Sequence, residues 1–516
     1  MSRITSVKSP RGVSFALAAI SLASKPLGYA RTLLIAWAFG TSAGMDAYHL
    51  ASGIIALFAG SVGNTLENAV LPELVRLREN PGESETCRST AAFVSCFVMA
   101  LTVLFIIALM TAPGILIRFF ARGFDGERII TGARMLWWLL PFASVVMYKP
   151  TLDIWANVRE RYTLSPMIAT VFNFIAIPAI LISIPFIGIY SIAFSMSAGH
   201  CAVFVLFLAA MRGAPLRWRA RDVAWDSVRR ICANSAYLVI ILAAGTLYTV
   251  VDRYYASVLP VGSVAAISYA ATLIGLLTML AGTPMTYFLS LITKSAETDR
   301  TESLETVKRA ISVALAYFTP ISAFIAASAG SIVSLVFGWG SFGADSVSMT
   351  SICMSAYSIG FACSVAVGVM YRYAMAVGKL RTVTVMTYFL VALNAALDRA
   401  FVYRWGLLGL TAATSVTQIA SFVIYYNVII DKSLARFLAD AKFFAQLAAS
   451  AALAFCASLA SAYGTAASLS ASAALFAVYL CLAERLGLMA SVPPGWHPSQ
   501  FLAFVVNAIK SYANVK

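Results

Sequence analysis

The chain has 516 residues, 60% of them hydrophobic and only 11% charged, with a mean hydropathy of +0.84 and a formal net charge of +15. That usage lies far outside soluble globular domains and excludes a water-soluble enzyme or binding module. The apolar runs are continuous and do not alternate at period two, so helices and not a barrel are expected, because each backbone polar group in lipid must be satisfied within its own segment.

In chain order the pattern predicts fourteen membrane spans, at about 13–40, 46–72, 89–113, 134–156, 163–184, 187–211, 231–256, 263–292, 306–329, 347–371, 380–401, 405–429, 439–462 and 465–484. The opening "MSRITSVKSPRG" is basic but leads into a full-length span with no small-residue cleavage site, so it reads as a retained first helix. Placing both termini in the cytoplasm puts most Lys and Arg on that side, with six cations in "RGAPLRWRARDVAWDSVRR" alone. The outside loops then keep Arg118, Arg122, Arg128, Arg134, Arg399 and Arg404. Such a bias is the positive-inside rule. It also accounts for the net charge through topology and attraction to anionic lipid, with no nucleic-acid partner needed. The eight cysteines form no CxxC pair and read as packing thiols.

The chain resembles itself at an offset of 218 residues: Phe124 falls on Phe342, Ala156 on Ala374 and Gly188 on Gly406. Spans 1 to 6 and 7 to 12 are therefore two copies of one unit in parallel orientation, with a site expected between the halves and spans 13 and 14 as additions. The expected organisation is an N-lobe over 1–212, a basic linker over 213–230, a C-lobe over 231–430, and the last two spans with a tail over 431–516.

Four cations remain inside spans: Lys25, Arg31, Lys149 and Arg253. Acids at membrane depth include Asp46, Glu67, Asp153, Asp252 and Asp398. A charge at mid-bilayer costs about 2.5–3.5 kcal/mol even on the lenient insertion scale, so such groups face water or one another, or snorkel to the surface. Lys149 and Asp153, at i and i+4, suit a structural ion pair. Lys25 and Arg31 flank Pro26 and Gly28, where a hinge would aim both cations into one aqueous cavity suited to an anion such as phosphate. In "VALNAALDRAFV" Asn394 and Asp398 share one helix face, and Thr414 follows in the next span. With Asp252 they make an all-oxygen set that suits sodium or, equally, a buried hydrogen-bonded cluster. No phosphate-binding, zinc-protease or nucleophile-elbow motif is present, so catalysis is not expected.

"PLGYARTLLIAWAFGTSAGMDAYHLA", with "NAVLPEL", "FARGFDGE", "LVFGWGSFGADS" and "GLLGLTAATSVTQ", resembles the MurJ/MviN family of the multidrug/oligosaccharidyl-lipid/polysaccharide (MOP) exporter superfamily, over nearly the whole chain. The resemblance implies an all-α transporter of fourteen transmembrane helices in the bacterial inner membrane. It would flip undecaprenyl-pyrophosphate-linked glycan, lipid II by family, as a monomer. It further implies that Lys25, Arg31, Asp46 and Arg253 serve the substrate and that Asp252, Asn394, Asp398 and Thr414 hold Na+ as coupling ion. Two departures stand out. The family's arginine pair in span 2 meets "GIIALFAGSVG", and its "YADR" in span 8 appears as "YAAT", with Ala271 and Thr272. A carrier of another lipid-linked oligosaccharide, such as an exopolysaccharide or O-unit, and a sodium-coupled multidrug exporter are the alternatives. A scaffold that transports nothing would tolerate neutral residues at every buried charge.

Overall fold

A computed structural model describes residues 10–79, 84–162, 164–211, 217–279, 300–430, 441–460 and 464–485. Every regular element among them is helical. In chain order these are α1 (Pro10–Phe39), α2 (Ala43–Ile55), a π-helical turn (Ala56–Gly60), α3 (Ser61–Glu79), α4 (Ser84–Thr111), α5 (Pro113–Phe120), α6 (Gly126–Trp138), α7 (Leu140–Val158), α8 (Leu164–Ile187), α9 (Tyr190–Ala210) and α10 (Trp225–Ala256). They are followed by α11 (Ser263–Met279), α12 (Arg300–Phe337), α13 (Ala344–Ala376), α14 (Leu380–Tyr425), α15 (Ala441–Ala460) and α16 (Thr465–Arg485). Among the described residues eight helices, some of them joined runs, are long and apolar enough to cross a membrane, and α6 with α7, bent by 50°, is a ninth candidate. The protein is an all-α membrane protein, as composition requires. The expected fourteenfold count extends into segments outside the described residues.

Local chemistry places the element ends. Ser42 caps α2 by accepting from the Met45 amide at 3.4 Å, and Asp125 caps α6 by accepting from the Arg128 amide at 2.8 Å. Pro113 opens α5, where its missing N–H costs nothing. The repeat-related glycines share a role: Gly188 (φ +53°) turns the chain between α8 and α9, and Gly406 (φ +57°, ψ −131°) breaks α14 between the predicted spans 11 and 12. By contrast α1 runs as one helix through Pro26 and Gly28, and the Gly28 carbonyl accepts from the Thr32 hydroxyl at 3.1 Å. The expected hinge is therefore not expressed as a break in this state.

The chain divides into two compact units, residues 1–265 with 340–342, and residues 266–339 with 343–516. This differs from the expected boundary at the 213–230 linker, because α10 packs with the first half. In the first unit Leu74 and Leu77 of α3, Val94 and Val98 of α4, Trp155 of α7, Phe207 of α9 and Ile231 of α10 form one buried cluster. A further tie is side-chain specific. The bare backbone of Gly53 leaves a slot on α2 that a methyl group would fill, and the Arg253 guanidinium lies in it.

Candidate functional site

Arg31 and Arg253 reach the same part of α2 in the first unit. Arg253 Nη1 donates to the His49 carbonyl at 2.6 Å. Arg31 sits over the Phe172 ring at 5.3 Å, with Nη1 3.0 Å from Met196 Sδ, and the Tyr48 hydroxyl is hydrogen-bonded to it. Thioether sulfur and an aromatic face are weak partners for a guanidinium, and Arg31 Nε is buried without a hydrogen-bond partner among the described residues. Tyr48 is within electrostatic reach of both arginines. Two cations from different helices thus reach adjacent residues of α2, with donor capacity to spare on Arg31. Lys25, expected to share this cavity, is exposed on α1 and has no ion-pair partner among the described residues.

Below Phe172 lies a cavity of about 370 Å³ within the same unit, lined by Gly60, Glu67, Lys149, Asp153, Phe172 and His200 among others. The π-helical turn widens α2 and α3 here, and Gly60 opens bare backbone toward free space. Lys149 Nζ donates to Asp153 at 2.8 and 2.7 Å and to Ser165 Oγ at 3.2 Å, which uses all three of its hydrogens. That is the structural pair read from the i, i+4 spacing. His200 Nδ1 donates to the Met196 carbonyl at 2.8 Å, since a carbonyl can only accept.

Asp46, expected to serve the substrate, does something else. Fully buried at the start of α2, it accepts from the Gly262 amide at 2.7 Å and the Ala265 amide at 2.8 Å, capping the N-terminus of α11. Arg128 Nη1 stands 3.9 Å away. A carboxylate is favoured here because the first amides of a helix have no partner of their own and the helix dipole is positive at that end. Arg128, an outside-loop cation by the charge bias, is buried against the Phe124 ring at 4.7 Å and donates to Asp125 and the Gly123 carbonyl.

Two backbone contacts complete this end of the first unit. The Gly123 amide donates to Ser257 Oγ at 3.2 Å, and the Ser341 amide donates to the Trp37 carbonyl at 2.8 Å. In the second unit Asn394 and Asp398 are both fully buried, and Asn394 Nδ2 donates to Asp398 Oδ2 at 2.8 Å. Thr414 Oγ1 contacts its own helix at the Leu410 carbonyl, 3.5 Å away. Asp252 belongs to the other unit, where it is buried.

A profile of the lipid II flippase MurJ family matches residues 35–487. The chain belongs to the lipid II flippase MurJ family. A probable lipid II flippase MurJ from Thermotoga maritima is 24% identical over 408 residues, 78% of this chain and 81% of that protein. The lipid II flippase MurJ of Burkholderia cenocepacia is 23% identical over 356 residues, 66% of this chain and 68% of that one. Among solved structures, a lipid II flippase MurJ in an inward closed conformation superposes with TM-score 0.75 at 18% identity, covering 91% of this chain and 99% of that one. An inward-facing multidrug resistance MATE transporter of the MOP superfamily gives TM-score 0.65 at 17% identity, covering 80% and 96%. At such identities the structural likeness speaks for the fold of the MurJ family and its superfamily.

Proposed function

We propose that the chain, a lipid II flippase by family, moves its lipid-linked glycan across the bacterial inner membrane as a monomer by alternating access, with Arg31 and Arg253 meeting the pyrophosphate. The observation that carries this reading is that two guanidinium groups from different helices reach one stretch of α2, Arg253 at the His49 carbonyl and Arg31 beside Tyr48, with Arg31 Nε buried and without a hydrogen-bond partner among the described residues. Planar guanidinium forks bind phosphate oxygens in pairs, and reduced dielectric makes each contact stronger than the roughly 1 kcal/mol expected for unit charges 4 Å apart in water. Asp46, on the amides that open α11, holds the end that the charge bias places outside, and releasing it belongs to the transition between states. Sodium would be held by Asn394 and Asp398, whose oxygens are of the hard type it favours and which share a fully buried position on α14. When bound it would bias the conformational equilibrium by its differential affinity for the two states. Both termini are cytoplasmic in this reading.

A second reading, transport of a different lipid-linked oligosaccharide, draws on the family arginines missing from the stretch around Gly60 and on Ala271 and Thr272 in α11. One experiment tests both: expression in a bacterium depleted of its own lipid II flippase. Growth is expected. Failure to grow despite membrane expression would favour the second reading. In the same assay Arg31→Ala is expected to lower transport at least tenfold with unchanged protein level, and Arg31→Lys to keep part of it. Wild-type transport by Arg31→Ala would remove the pyrophosphate assignment.

A further inference from the structure

The basic stretch 217–225, between α9 and α10, is pinned to α4. Trp218 and Trp225 both pack on Phe93, with ring centroids 5.1 and 5.2 Å away. Trp225 Nε1 donates to the Ala220 carbonyl at 3.0 Å, the Ala224 amide donates to the buried Thr90 hydroxyl at 3.0 Å, and Val223 is buried. The stretch is held by these bonds, yet both indoles stay partly open, 39% and 51% exposed. Arg219 is extended (φ −122°, ψ 133°), so the side chains beside Trp218 project away from Phe93. Arg217 and Arg219 are exposed and have no ion-pair partner among the described residues, while Arg221 is 3.4 Å from Asp222. The other nearby acid, Asp226, is exposed in the first turn of α10.

What continues from this cluster identifies its partner. Positions 93, 97, 104 and 107 lie within about 80° on one face of α4. Phe97, Leu104 and Ile107 are 53%, 62% and 49% exposed, whereas Val94 and Val98 on the opposite face are in the core. Three large apolar side chains exposed in line on a membrane helix form a face for acyl chains. At one end of that face stand two tryptophans, which favour the membrane–water boundary, and then guanidinium groups, which favour phosphate. Apolar face, aromatic boundary and cationic rim follow the order of tail, glycerol and headgroup in a phospholipid.

We infer that α4 and residues 217–225 form a docking site for an anionic phospholipid of the cytoplasmic leaflet, its phosphate held by Arg217 and Arg219 and its chains lying on Phe97, Leu104 and Ile107. The site is separate from the Arg31 and Arg253 pair and does not depend on which glycan the protein moves. Its bonds hold the backbone beside the arginines in place before the lipid arrives, so ordering on binding falls on their side chains and not on the stretch.

The test is native mass spectrometry of the full chain, delipidated in detergent and titrated with phosphatidylglycerol and, separately, phosphatidylcholine of the same chains. Wild type is expected to retain phosphatidylglycerol at least fivefold more tightly. R217Q/R219Q is expected to lose that preference while staying monodisperse, with single R217Q and R219Q variants intermediate and R217K/R219K retaining most of it. A control pair at the other end of the molecule, R118Q/R122Q, is expected to leave the preference intact. Equal retention of the two lipids by wild type would overturn the proposal, as would equal losses in R118Q/R122Q and R217Q/R219Q. Displacement of phosphatidylglycerol by equimolar undecaprenyl pyrophosphate would also overturn it, by assigning the site to substrate entry.

Discussion

The turn at Gly123–Phe124 and the turn at Ser341–Phe342 are the same position in the two sequence copies, 218 residues apart, and each keeps its phenylalanine buried, at 6% and 2% exposure. Each also donates one backbone amide to the end of a helix that opens the other copy: Gly123 to Ser257 beyond α10, Ser341 to Trp37 of α1. The reciprocity ends there. In the first copy α2 begins with Asp46, which caps α11. In the register that pairs Tyr48 with Tyr269, the second copy has Ile267 at that place. Both copies thus keep an amide donor at this turn, one to a hydroxyl and one to a carbonyl, while the carboxylate of Asp46 has an isoleucine at the matching place.

Removing the cap is the strongest way to break that comparison. Asp46→Ala would leave two buried amides without their acceptor, and at about 1.5–3 kcal/mol for each charge-assisted bond a loss of about 3 kcal/mol or more is expected. Thermal melting in detergent would show it, together with loss of complementation. Asp46→Asn, which keeps one acceptor oxygen, is expected to fall between.

The paired turns come next. A methyl group on Gly123 would overlap the backbone of Ser257 and Val258, which has no room to give, so Gly123→Ala is expected to cost about 1–3 kcal/mol. Ser341 uses only its amide, and Ser341→Ala is expected to stay within about 0.5 kcal/mol of wild type. Similar losses from both would show that the two contacts differ less than their geometry implies.

Gly188 and Gly406 sharpen the same comparison at a smaller scale. Both have positive φ, so alanine is expected to cost about 1–2 kcal/mol at either position. Gly406→Ala should be the worse, because its ψ of −131° takes it outside the left-handed region that alanine tolerates.

A smaller effect than at either of these glycines is expected at Asp125, which has no counterpart cap in the second copy, where Gly343 precedes α13. The Arg128 amide, and then the Arg128 charge, hold the Asp125 carboxyl below its ordinary value. A lowered carboxylate stabilises the folded form above the ordinary range near pH 4, and that support is lost as pH falls through the lowered value. Asp125→Ala is expected to cost at most about 1 kcal/mol at neutral pH, and the difference from wild type to vanish in acid, where the wild-type carboxylate is itself protonated.

Much of this protein was legible without coordinates, for reasons that are local or periodic. Continuous apolar runs require helices in lipid whatever their neighbours. The Lys149–Asp153 pair follows from one turn of helix, and the Gly188–Gly406 equivalence from aligning the chain with itself. The Arg31 charge in an apolar span marks a residue that needs a polar partner, by its cost.

Other roles were decided only by tertiary structure. Asp46 and Gly262 are 216 residues apart, and no spacing rule connects a carboxylate to the amides of a distant helix. From sequence Asp46 therefore read as a substrate contact. Nor does spacing show that the Arg253 guanidinium donates to the His49 carbonyl in a slot that exists because Gly53 lacks a side chain. The division of the chain after residue 265 has the same origin. Helices form from their own residues, but a helix joins the partners whose surfaces fit it, and complementarity of surfaces is a property of the folded chain.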